Sequence, residues 1–189
     1  MRNQRGPLST WIGALILVAF TAPLRPADGQ VYLTQQEALK LAFPDALSID
    51  RKTLFLTDEQ VETIQSSARA KVESKIVTYY VARGSEEVLG YAFFEMQIVR
   101  TMPITYMAVV APDSSLRAVE ILAFHEPQDY LPSERWLSQF EEKTFDDDLR
   151  VKRGIRNISG ATLSAYSIAE GVRRVLATFA AAIPKETDS

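Results

Sequence analysis

The chain has 189 residues, 47% of them hydrophobic and 24% charged, which is room for one packed domain with a core of its own. It contains no cysteine, and this excludes disulfides, thiolate zinc sites, iron–sulfur ligation and covalent haem attachment. Without the first 29 residues, which hold three arginines and one aspartate, the 21 basic and 24 acidic side chains fall to 18 and 23, a net charge of −5. That balance gives no general attraction to nucleic-acid phosphates, so DNA and RNA are set aside as partners.

Arg2 and Arg5 precede an uncharged apolar run from Leu8 to Ala22, which is followed by Pro23, Pro26 and the small stretch Ala27-Asp28-Gly29. A positive start, a short apolar segment and a small-residue cleavage site predict a secretory signal peptide over residues 1–29. The run is shorter than the roughly 20 residues a spanning helix needs. Retention of the segment as an uncleaved anchor is the alternative, and it would tie the protein to a membrane. Either way the expected location is the periplasm or the outer face of the cytoplasmic membrane.

Residues 30–75 read as an N-terminal helical segment. Thr34 and Glu37 have capping-box spacing ahead of a short helix that Pro44 ends, and Thr57 with Gln60 repeats the signal. Val61, Ile64, Ala68 and Val72 follow at helical spacing, so the second helix is expected to run to about Glu73. Residues 76–183 read as the main domain. Ile76 to Ala82 and Val88 to Val99 are rich in β-branched and aromatic residues with Arg83-Gly84-Ser85 between them as a turn, and Thr105 to Ala111 and Leu116 to Phe124 form a second pair joined by the turn sequence Pro112-Asp113-Ser114-Ser115. Connections this short permit an antiparallel meander and not parallel crossovers.

Beyond the strands, His125 to Leu131 reads as a loop, and Ser133 caps a helix that carries Trp136, Leu137 and Phe140. Asp146-Asp147-Asp148 then gives way to Arg150, Lys152, Arg153 and Arg156, a sign reversal expected of a solvated loop. A last helix starts near Ser164 and runs to about Ala182, with Ile168, Val172, Val175, Leu176 and Phe179 on its buried side; residues 184–189 form a tail. The expected fold class is α+β: an antiparallel sheet of about four strands, N-terminal helices and a long C-terminal helix.

The segment Ile158-Ser159-Gly160-Ala161-Thr162-Leu163-Ser164 leads into that helix with small residues and hydroxyls. Free N–H groups and the positive end of the helix dipole suit such a place to a phosphate, and Gly160 and Ala161 permit close backbone approach. The alternative reading of the same residues is a simple helix cap.

Ser159-Gly160-Ala161-Thr162, followed by Leu163, Ser164 and a long amphipathic helix, resembles the flavinylation motif of the FMN-binding domain family. That family occurs in the sodium-pumping NADH:quinone reductase, the Rnf electron-transport complex and nitrous oxide reductase regulators. Gly90-Tyr91-Ala92, and the loop His125-Glu126-Pro127 followed by Trp136, Phe140 and Lys143, resemble further family segments in the same order. The resemblance spans roughly residues 90 to 180.

It implies FMN held as a phosphoester on Thr162, transferred from FAD by an ApbE-type flavin transferase, with Ser159, Gly160, Ala161, Leu163, Ser164, His125 and Glu126 around the cofactor. Tyr130 and Trp136 could flank the flavin ring or belong to the core, and Arg153 and Arg156 could meet the phosphate or solvent. The family often carries aspartate six residues before the acceptor; here that residue is Arg156, which leaves Asp148 as a substitute. No metal site and no catalytic residues of an independent enzyme are implied. The expected function is electron transfer between membrane or periplasmic redox proteins. Two alternatives stand beside it: an accessory module of a membrane redox complex without covalent flavin, and a small flavin reductase.

Overall fold

The computed structural model describes residues 30–184; residues 1–29, where a signal peptide is expected, and the residues beyond Pro184 lie outside the described residues. The architecture is α+β. The strands β1 (Gln30–Val31), β2 (Ser48–Phe55), β3 (Ile76–Arg83), β4 (Val88–Val99), β5 (Met102–Val110) and β6 (Leu116–Phe124) make one antiparallel sheet of order β1-β6-β5-β4-β3-β2. The helices are α1 (Gln35–Ala42), α2 (Asp58–Ala68), α3 (Glu134–Leu137) and α4 (Thr162–Ala182).

The four expected strands form the middle of this sheet, and two further strands extend it at its edges. β1 is only two residues long. β2 pairs with β3 from Ser48↔Arg83 to Phe55↔Ile76. Its run of Asp50, Arg51, Lys52 and Thr53 carries little apolar alternation because the strand lies at an edge and buries little of either face. Charged side chains on such an edge also discourage pairing with other chains.

α2 ends five residues before the expected Glu73, because Arg69 turns left-handed at φ 50°. Val72 kept the helical spacing without being helical: it packs from the loop against the cluster of Leu56, Ile64, Ala68 and Ala177 that α2 buries.

α4 lies across the sheet. Ile168, Val172, Val175, Leu176 and Phe179 are buried against Tyr91, Phe93, Tyr106 and Ile104, and the Phe179 ring meets the Tyr91 ring edge-on at 4.9 Å. Each such aromatic or aliphatic side chain contributes about 1.5–3 kcal/mol by leaving water. Gly171 lets the helix come close, since a Cβ there would lie 1.8 Å from the Tyr106 hydroxyl.

The acidic-to-basic stretch expected to be a solvated loop is only half so. Leu149, Val151 and Ile155 are buried in the main core, while Asp146 to Asp148, Lys152 and Arg153 stay exposed. Apolar residues between the charges anchor the segment that leads to α4.

Candidate functional site

Thr162 is the first residue of α4 and not its cap. The cap is Ala161, in a non-extended conformation (φ −114°, ψ 38°) with no side-chain cap hydrogen bond. The first backbone bond of the helix runs from Ala165 N–H to Ala161 C=O at 3.1 Å, so the N–H groups of Thr162, Leu163 and Ser164 open the helix without a side-chain acceptor. Gly160 precedes the cap at φ +83°, a left-handed turn that suits glycine, and a Cβ there would meet nothing within 4 Å. The turn therefore faces open space.

The Thr162 hydroxyl is held from behind the turn, where Asn157 Nδ2 donates to Thr162 Oγ1 at 3.0 Å. Asn157 Oδ1 is buried and has no partner. The chain just before Asn157 is clamped at three points. Trp136 Nε1 donates to the Arg156 carbonyl at 2.6 Å, and Gln139 Oε1 accepts from the Arg156 backbone N–H at 2.9 Å and from its Nε at 3.2 Å.

Trp136 is buried, with its ring edge-on to Phe140 at 5.3 Å, so it belongs to the core and to this clamp and leaves no face free for stacking. Arg156 is engaged with Gln139, and Arg153 with Asp148 at 3.6 Å. Asp148 is taken up as well. Both its oxygens accept from Arg150, at 2.7 and 2.9 Å, and those bonds hold its carboxyl down to about 2.

On the other side of the helix start lies a small hollow of about 10 Å³, walled by Val99, Arg100, Glu126, Tyr130, Gly160, Ala161, Leu163 and Ser164. Glu126 is 9% exposed, and its Oε1 is buried without a partner. Arg100 turns left-handed at φ 54° and lays its guanidinium over the Tyr130 ring, 4.9 Å from the centroid, so a positive charge lines the same hollow.

The fold therefore gathers Gly160, Ala161, Leu163, Ser164 and Glu126 around one hollow, with Thr162 beside it and Ser159 exposed on the turn. His125 is apart from them: half-buried, not among the walls of the hollow, with its backbone N–H bonded to the Pro103 carbonyl at 3.3 Å. Asn157, Gln139 and Arg100 are the members that sequence reasoning missed. None belongs to a recognisable spacing pattern, since Gln139 and Arg100 reach the site from other elements and Asn157 lies five residues before the side chain it holds.

Among solved structures, the fold is similar to the crystal structure of Shewanella oneidensis NqrC, with a TM-score of 0.47 and 18% sequence identity over 82% of this chain and 86% of that one. No family model matches the chain, and no curated protein matches it.

Proposed function

We propose that the chain is an exported flavoprotein whose FMN is esterified to Thr162 and which carries electrons between membrane or periplasmic redox proteins. The observation that carries this reading is the state of the Thr162 hydroxyl. A threonine at the cap position of a helix spends its oxygen on the N–H groups of the first turn. Thr162 does not, because the cap position belongs to Ala161, and its oxygen is held only by Asn157.

The surrounding residues fit a phosphoester. The free N–H groups of Leu163 and Ser164 and the helix dipole favour phosphate oxygens. Arg100 supplies a positive charge at the hollow, and the Gly160 turn leaves open space for the attached group. FMN so held would supply one- and two-electron redox chemistry, while the protein orients it and sets its surroundings. The order of the motif segments along residues 90 to 180 points to the same cofactor, and the apolar segment before Pro23 to export.

The test is intact-mass and peptide mass spectrometry of the full chain co-expressed with an ApbE-type flavin transferase. An FMN-sized adduct on the peptide holding Thr162, absent from Thr162→Ala, is the expected result. Protein that stays unmodified beside a control acceptor that is modified would sink the reading. That outcome would favour the accessory module without flavin, which the replacement of the family's aspartate by Arg156 supports.

A further inference from the structure

We propose that Asn157 is the positioning residue of the acceptor threonine, fixing the Thr162 hydroxyl so that its proton and remaining lone pair point away from the protein, towards an incoming phosphoryl group. The inference rests on the acceptor reading of Thr162 and assigns a role that the motif itself does not contain.

A hydroxyl oxygen has one proton and two lone pairs. With one lone pair taken by Asn157 Nδ2 at 3.0 Å, the other two directions of Thr162 Oγ1 are what solvent and partners meet. The hold is stiff, because Asn157 cannot move without its chain. Trp136 Nε1 donates to the Arg156 carbonyl and Gln139 Oε1 accepts from the Arg156 N–H, so the peptides on both sides of Arg156 are pinned, and Ile155, two residues before Asn157, is fully buried in the core. Asn157 also keeps Oδ1 buried without a donor, a cost that a residue chosen only for packing would not incur.

The step that this arrangement serves is a phosphoryl transfer from FAD. Thr162 Oγ1 forms a bond to the phosphorus on the FMN side of the pyrophosphate, the bond from that phosphorus to the bridging oxygen breaks, AMP leaves with that oxygen, and the hydroxyl proton passes to the transferase or to water. Reactions of this kind are sensitive to how the attacking atom is placed, and a misplacement of about 1 Å can cost a hundredfold.

The experiment is a time course of adduct formation on the full chain with transferase and FAD, read by intact mass. It compares wild type, Asn157→Ala and Asn157→Asp at several acceptor concentrations. Aspartate fills the same space but, ionised, has no proton to donate to Oγ1 and can only accept from it, which reverses the bond and turns the hydroxyl proton inward.

Both variants are expected to lower the maximal rate about ten- to a hundredfold, with the KM for the acceptor protein and the melting temperature unchanged. Restoration of the wild-type rate by Asn157→Asp would assign the residue a packing role and overturn the inference, as would an undiminished rate in Asn157→Ala. If Asn157→Ala fails to fold, the isosteric Asn157→Asp carries the test alone. Wild type that gains no adduct overturns the acceptor reading itself, so the two failures are distinguishable.

Discussion

Three helices of this protein begin at or beside a threonine, and they begin in two different ways. At α1, Thr34 Oγ1 accepts from the Glu37 N–H at 3.3 Å while Glu37 Oε2 accepts from the Thr34 N–H at 2.8 Å. At α2, Thr57 and Gln60 exchange the same pair of bonds at 3.2 and 2.9 Å. These starts are closed locally, within four residues. At α4, Thr162 lies one position inside the helix, its cap is a bare alanine, and the groups that hold it come from Asn157, Trp136 and Gln139. A helix that supplies its own cap has no hydroxyl to spare, whereas one held in place by tertiary contacts leaves its threonine available for chemistry.

If tertiary contacts set the α4 start, breaking its lead-in should do the greatest damage. A Cβ on Gly154 would lie 1.7 Å from the Asp148 carbonyl oxygen, a backbone atom with nowhere to go. Gly154→Ala is expected to cost about 2–3 kcal/mol, the scale of an overpacked site, and to lower the melting temperature by several degrees. Calorimetry of the variant checks it, and an unchanged melting curve would show that the lead-in does not constrain the helix.

This division also marks what was legible in the sequence. Both capping boxes were readable because all their parts sit within three residues of one another. The strand bounds of β4 and β6 were readable because apolar residues dominate both, with Tyr91, Ala92 and Phe93 buried in the one and Leu116, Val119, Ile121, Leu122 and Phe124 in the other. β2 was not, since an edge strand with Arg51, Lys52 and Thr53 exposed has no apolar pattern to read. At the site, the run from Ser159 to Ser164 marked the place, but whether Thr162 was cap or first turn depends on the Ala161 backbone and on Asn157, five residues away. Capping rules that look three residues ahead cannot see that distance. Glu126 could be named from its loop, while Arg100 reached the hollow only through the β4–β5 turn.

The next effect in size concerns the clamp. Trp136→Phe keeps most of the buried ring but removes the donor to the Arg156 carbonyl, and the loss of such a bond with its acceptor left unpaired costs about 1–2 kcal/mol. The same variant should slow adduct formation on Thr162, because the Arg156–Asn157 peptide then loses the bond to its carbonyl and only the preceding peptide, through the Arg156 N–H, is still held by Gln139. A loss of stability with no change in that rate would separate the clamp from the acceptor.

The comparison of the threonines themselves is a matched pair of substitutions. Thr57→Ala removes a cap and should cost about 1 kcal/mol, a shift of about 2–4 °C in melting temperature for a chain of this size. Thr162→Ala removes no cap and leaves Asn157, which is only part-buried, to be met by water; its cost should stay under about 0.5 kcal/mol. Equal losses for the two variants would mean that Thr162 supports its helix after all.

The smallest effect distinguishes the two closed starts from each other. The Glu37 carboxyl is held below its usual range by the Thr34 backbone N–H and then by the Thr34 hydroxyl, whereas Gln60 does the same work at α2 without a titrating group. A carboxyl whose folded pKa is lowered contributes stability that is complete above its unfolded value of 4.5 and is lost as pH falls through the folded one. Acidification from pH 5 to about 3 should therefore weaken α1 and leave the cap of α2 untouched. Glu37→Gln should remove that part of the acid dependence while keeping a neutral acceptor for the Thr34 N–H, so its melting temperature should lie below the wild type at pH 7 and converge with it as the pH falls towards 3. Identical acid profiles for the two proteins would show that the α1 box does not depend on charge, and the two closed starts would then be equivalent in kind as well as in geometry.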